Sequence, residues 1–201
     1  PSYQAKETWR TDLISLLPYI AFGLFVCSCV YIKALDGPES FYARYDNILH
    51  LNTIRSFLDS GIWSSLQVSS YLGAPDNAMP RCSTGFYPAA WHDLAALVCS
   101  ITGCNVPMGS NAVNAVASGV VFPASMWAFT RSIFTGNKRT LFLGAITTMA
   151  FTAFPWGFFL KGPLYPNLLA YALMPAVFGL LVEAARAWRQ LRNWLSGILF
   201  V

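Results

Sequence analysis

Four stretches of this chain are apolar runs free of charge. Leu13 to Ile32 and Asn111 to Thr130 each contain 20 residues, and Thr140 to Leu160 and Gly162 to Val182 each contain 21. A helix needs about 20 apolar residues to cross the hydrocarbon core of a bilayer. The pattern therefore predicts transmembrane helices over about 13–34, 111–133, 140–160 and 164–185. The segment NWLSGILFV from Asn193 predicts the start of a fifth. Pro18, Pro123, Pro155 and Pro175 inside the runs are compatible with this, because neighbouring groups in a membrane bundle re-satisfy the freed backbone. The first run is too long for a signal-peptide core, and no small-residue cleavage site follows it in IKALDGPES, so it reads as a retained helix. The expected fold is an all-α integral membrane protein, with residues 1–201 forming the N-terminal part of a longer polytopic membrane domain.

Between the first two runs lies a long segment, 36–107, of a different kind. Two amphipathic surface helices are expected in it, over about 44–60 and 86–102. At about 100° per residue, Phe41, Tyr45, Ile48, Leu51, Leu58 and Ile62 share one face of the first, while Asp46, His50 and Thr53 share the opposite face, which is expected to be wet. Gly61 is a natural stop. Residues 64–85 carry no period and are rich in Ser, Gly and Pro, which predicts a surface loop.

Composition sharpens this picture. Residues of the set AVILMFWYC make up 55% of the chain, and Asp, Glu, Lys and Arg only 11%, under half of the usual share of about 25%. Lys and Arg then set the orientation. Lys6 and Arg10 precede the first run, Arg131, Lys138 and Arg139 follow the second, and Arg186, Arg189 and Arg192 follow the fourth. The 36–107 segment instead has six acids against three arginines, and the 161–167 loop has only Lys161. A multi-pass plasma-membrane protein is expected, with its N-terminus in the cytoplasm and 36–107 outside. The net charge of +4 is then explained by cytoplasmic loops beside anionic lipid and not by nucleic-acid binding.

The outer segment also holds both histidines of the chain. Asp46 is the candidate general base, placed where a lipid-borne reactant lies alongside. His50, four residues on, shares its face and is its candidate support. His92 and Asp93 form a second pair. Arg44, Arg55, Arg81 and Lys161 are candidate cations for a phosphate, arginine being suited by its bidentate fork. Tyr165 and Asn167 share a loop with Lys161. Cys27 and Cys29 read as packing residues within the first helix, whereas Cys82, Cys99 and Cys104 fall outside, where disulfides form, with the pairing open. Asp46 and His50 are two ligands with no third nearby in the sequence, and two do not make a metal site. No metal ligands are assigned, no cofactor is specified, and a divalent metal is left open.

The stretches YDNILHLNTIRSFLDSG (45–61), FYPAAWHDL (86–94) and LYPNLL (164–169), in this order of helices and loops, resemble the GT-C superfamily of glycosyltransferases, which use lipid-linked sugars. More narrowly they are similar to a family of large actinobacterial membrane proteins of GT-C-like type. The resemblance implies a polyprenyl-phosphate-linked sugar donor, an envelope glycan or lipid acceptor, and Asp46 as the base that deprotonates the acceptor. His50 would assist, and Arg44, Arg55, His92, Asp93, Lys161, Tyr165 and Asn167 would contact substrate. Two other classes compete with this one. A transporter or flippase for an envelope lipid would need ionisable residues inside the spans, and the runs contain none. A non-catalytic subunit would dock a partner through the 36–107 loop.

Overall fold

The computed structural model describes residues 2–71, 82–135 and 137–199, with side chains over 12–71, 85–135 and 137–193. Arg81 and the side chains of Lys6, Arg10 and Cys82 lie outside the described residues. The chain is mostly helical, and three helices are long and apolar enough to cross a membrane: Asp12–Ala34, Val106–Ile133 and Tyr165–Asn193.

The first helix, α1 (Ser2–Val30), passes through a 3-10 turn at Ile32–Ala34 into the 36–107 segment. There α2 (Tyr45–Ser60) ends at Gly61, whose φ of 68° is the left-handed region that glycine enters without strain. The aperiodic stretch after it contributes a strand. β1 (Val68–Ser70) pairs antiparallel with β2 (Cys82–Gly85), in the register Val68 to Gly85 and Ser70 to Cys82. Burial of Val68 and Ser70 on one side of β1 gives this hairpin its inner face, which a reading based on Ser and Gly content does not register. These two short strands are an addition to a chain that is otherwise helical among the described residues.

Helix α3 (Ala90–Thr102) begins after Pro88, since the residue before a proline avoids helical ψ. It leads through Gly103 to α4 (Val106–Val116), whose first turn is capped by the Asn105 side chain accepting from the Met108 N–H at 3.0 Å. A π-helical turn, Ala117–Val121, joins α4 to α5 (Phe122–Ile133). Pro123 has no N–H to offer the carbonyl of Gly119, and the ladder widens there. That carbonyl faces Gly23 of α1: a β-carbon on Gly23 would lie 2.5 Å from it and 2.4 Å from the Pro123 ring. Small residues thus let the two helices touch backbone to backbone.

Two expected spans differ from what forms. The run 140–160 gives α6 (Lys138–Thr148), eight residues without α-helix, and a single turn, α7 (Gly157–Leu160). Pro155 disfavours helix at the residue before it, and 11 residues of α6 reach only about 16 Å at 1.5 Å each, half of the hydrocarbon core. The fifth helix does not begin at Asn193, because α8 (Tyr165–Leu199) runs 35 residues without a break. Its charged stretch EAARAWRQLR consists of good helix formers with no Gly or Pro, so charge ends the apolar run without ending the helix.

Charged groups gather at one end of the bundle. Arg131 makes a bidentate pair with Asp12 at 2.7 and 2.8 Å, and Arg186 bonds both the Ser132 carbonyl and Glu183. The 36–71 and 85–111 segments cap the other end, where Ile54, Phe57, Val68, Trp91, Val113 and Tyr165 form a core.

Candidate active site

The face of α2 that bears His50 and Thr53 turns into the protein. Asn47, His50, Thr53, Ile54, Ser56 and Phe57 are buried, whereas Tyr45 is 74% exposed and Ile48 and Ile62 are also exposed. The expected wet face is therefore the inner one, which corrects the sequence reading. At a lipid boundary apolar side chains lose nothing by facing outward, and polar groups are costly unless the protein receives them.

What receives them is α3. His50 Nδ1 lies 3.0 Å from His92 Nε2, with the two residues 3% and 1% exposed. The pair is ringed by aromatic groups: from the His50 ring, Trp91 is 5.6 Å away, Tyr165 6.1 Å and Tyr87 6.5 Å, centroid to centroid. Burial depresses His50 to about 4, against the opposing pull of the Asp46 charge and the Pro163 carbonyl. His92 is held at about 3 by burial and then by His50 itself, with the Ala89 carbonyl pulling weakly the other way. Both rings are neutral near pH 7, so one nitrogen of the contact donates and the other accepts. His92 Nδ1 has no hydrogen-bond partner among the described residues.

Asp46 stands one turn before His50 and is half-buried. It presses on the 161–163 loop, where a β-carbon on Gly162, at φ 74°, would lie 3.3 Å from Asp46 Oδ2. Its charge is felt by His50 and by Tyr87, whose phenol is raised by burial first and by Asp46 second. Among the described residues Asp46 joins no ion pair. The fold thus gathers Asp46, His50, His92 and Tyr165, with Lys161 next to Gly162 in the adjoining loop.

Other candidates go elsewhere. Arg55 is nine residues from Asp46, on the opposite side of α2 at about 100° per residue, and it is paired with Asp59 at 3.0 Å. Arg44 is exposed and donates to the Tyr42 hydroxyl at 2.8 Å. Asn167 is exposed. Asp93 is half-buried, its carboxyl raised by desolvation and its Oδ1 without a hydrogen bond among the described residues. No hydrogen bond or ion pair ties it to the histidines.

Sequence reasoning missed several uncharged groups. The Trp91 indole donates to Asn114 Oδ1 at 3.0 Å, and the Tyr31 hydroxyl donates to Asn111 Oδ1 at 2.9 Å. Asn111 in turn donates to the carbonyls of Pro38 and Ser40 at 3.0 and 2.7 Å, tying α4 to the outer segment. The spacing of Asn111, Asn114 and Ser118 at i, i+3 and i+7 was the available signal, one polar stripe along an apolar run. Beside this stripe a cavity of about 350 Å³ opens, lined by Tyr31, Tyr42, Asn111, Trp156, Phe159 and Tyr165. Tyr165 thus separates the cavity from His50. No three His, Cys, Asp or Glu side chains converge among the described residues.

The chain belongs to a family of unknown function, DUF6541, which it matches over residues 2–201. No curated protein and no solved structure matches it.

Proposed function

We propose that this DUF6541 chain is a GT-C-like glycosyltransferase of the plasma membrane, multi-pass with a cytoplasmic N-terminus. The 36–107 segment works outside, on a polyprenyl-phosphate-linked sugar and an envelope glycan or lipid acceptor. The observation that carries this reading is Asp46, a carboxylate free of ion pairs among the described residues, one helical turn before a buried histidine pair, with an aromatic-walled cavity on the far side of Tyr165. Asp46 takes the proton of the acceptor hydroxyl, whose oxygen attacks the anomeric carbon as the bond to the lipid phosphate breaks. The phosphate leaves with that electron pair, facing Lys161. His50 acts on Asp46 through charge alone, and the Tyr31, Trp156 and Tyr165 rings offer faces for the sugar. The test supplies membranes containing the full chain with polyprenyl-phosphate hexoses and pentoses and follows release of polyprenyl phosphate. Asp46→Asn is expected to lower the rate by about 10²–10⁴-fold, the usual worth of a general base, at unchanged protein level. Full activity in that variant ends the proposal.

A docking role is favoured by a separate observation. Ile62, Trp63, Leu66 and Phe86 of the outer segment are all exposed, Leu66 by 75% and Phe86 by 70%. Loss of a co-purifying partner in Leu66→Ser with Phe86→Ser, with sugar transfer absent throughout, would favour it.

A further inference from the structure

Where α3 gives way to α4, two thiols meet. Cys99 lies in the last turn of α3, Gly103 ends that helix at φ 72°, and the chain doubles back until Cys104 Sγ is 3.9 Å from Cys99 Sγ. Cys99 is buried and Cys104 half-buried. Across from them α4 presents Gly109, where a β-carbon would lie 2.3 Å from Cys99 Sγ and 3.7 Å from Cys104 Sγ. A residue without a side chain thus leaves both sulfurs their room.

We infer that Cys99 and Cys104 are a modification site, closing as a disulfide that staples the α3–α4 corner, with Cys104 as the sulfur through which the bridge forms. The inference rests on the outer-side placement proposed above, because such bridges persist in oxidising compartments. Cys104, the accessible thiol, loses its proton to solvent and attacks a disulfide oxidant, protein or small molecule, releasing one of its two thiolates. Cys99 then loses its proton and attacks the Cys104 sulfur of the mixed disulfide, releasing the other. Two electrons pass to the oxidant, which takes up two protons and ends as two thiols. Burial, and then the neighbouring sulfur, push the Cys99 thiol up to about 11, which makes it the slower partner and Cys104 the point of entry. The bridge bears on the candidate site because α3 carries Trp91 and His92, and α4 carries the Asn114 that holds Trp91.

The test uses the full chain in its native membranes, quenched with acid, alkylated with N-ethylmaleimide and mapped by mass spectrometry. The expected result is a peptide bridging positions 99 and 104, lighter by two hydrogens and alkylated at both only after reduction. Gly37→Cys, at an open position with nothing within 4 Å of a β-carbon, reports sidedness through a membrane-impermeant maleimide added to intact cells. If that reporter labels while Cys99 and Cys104 are both free, or if either is found bridged to Cys82, the inference is overturned and the outer-side reading survives. If the reporter labels only after lysis, the outer-side reading falls. The pair is then judged in detergent against glutathione disulfide, where failure to close at any glutathione ratio overturns it.

Discussion

The spans and the cap over one end of them are walled differently. Along the spans, Leu17, Phe25, Leu180 and Leu181 point outward at 59–70% exposure, and the contacts between helices are made by Gly23, Gly119 and Gly179 against neighbouring backbone or Pro123. In the cap, Asn47, His50, Thr53 and His92 go inside with Trp91 and Phe57. Lipid tails accept apolar surface without cost, so the spans gain little by hiding it and associate through close packing. The cap has both water and headgroups around it and must supply partners to its own polar groups.

The sharpest way to break this contrast is Trp91→Ala. It removes a large side chain at 1% exposure and strands Asn114 Oδ1, for an expected loss of about 3–5 kcal/mol, read as a lower thermal midpoint in detergent. If the midpoint holds, the cap has no such core.

Acid comes next. His50 and His92 sit near 4 and 3 when folded, below their ordinary value of about 6.5. Above 6.5 both states are neutral and the histidines contribute no pH dependence. As pH falls from about 6.5 toward the folded values, only the unfolded chain takes up their protons and stability is lost. At pH 5 each histidine is expected to cost about 2 kcal/mol. His50→Gln with His92→Gln should flatten the thermal midpoint against pH over that window, and an unchanged slope would argue against a neutral buried pair.

In the spans, Gly23→Ala is expected to cost about 1–3 kcal/mol, because the new methyl meets Pro123 and a carbonyl at 2.4 and 2.5 Å. Gly37→Ala, which meets nothing within 4 Å, is its control and should stay within about 0.5 kcal/mol of the parent. Equal midpoints for the two would remove the close-contact account of the bundle. The smallest effect is expected at Arg55→Ala. Its exposed pair with Asp59 contributes under about 1 kcal/mol, and sugar transfer should be unaffected, since Arg55 faces away from Asp46.

Much of this could be read in advance, and the failures share one cause. Apolar runs marked the three long helices, and Gly61 marked the end of α2. Asp46 and His50 were legible as neighbours because four residues make about one turn. That His92 completes the pair was not legible, since it lies 42 positions from His50 and no local period encodes a contact of that range. Amphipathicity identified two faces of α2 but assigned them the wrong way round. A helical spacing of polar and apolar residues shows that two environments exist without saying which one is the protein. The run 140–160 is apolar throughout, and only the backbone around Pro155 shows that apolarity did not make it one helix.

Alone, the order of residues determined that the chain is a membrane protein, since about 20 apolar residues in a row have no other favourable home, and that its polar and titratable groups cluster between the first two runs. The tertiary structure decided which polar face is enclosed, that His50 meets His92, that Asp46 lies against Gly162, and that two of five cysteines touch. Those outcomes depend on how α2, α3, α4 and the start of α8 pack, and packing is fixed by the combined fit of many distant side chains.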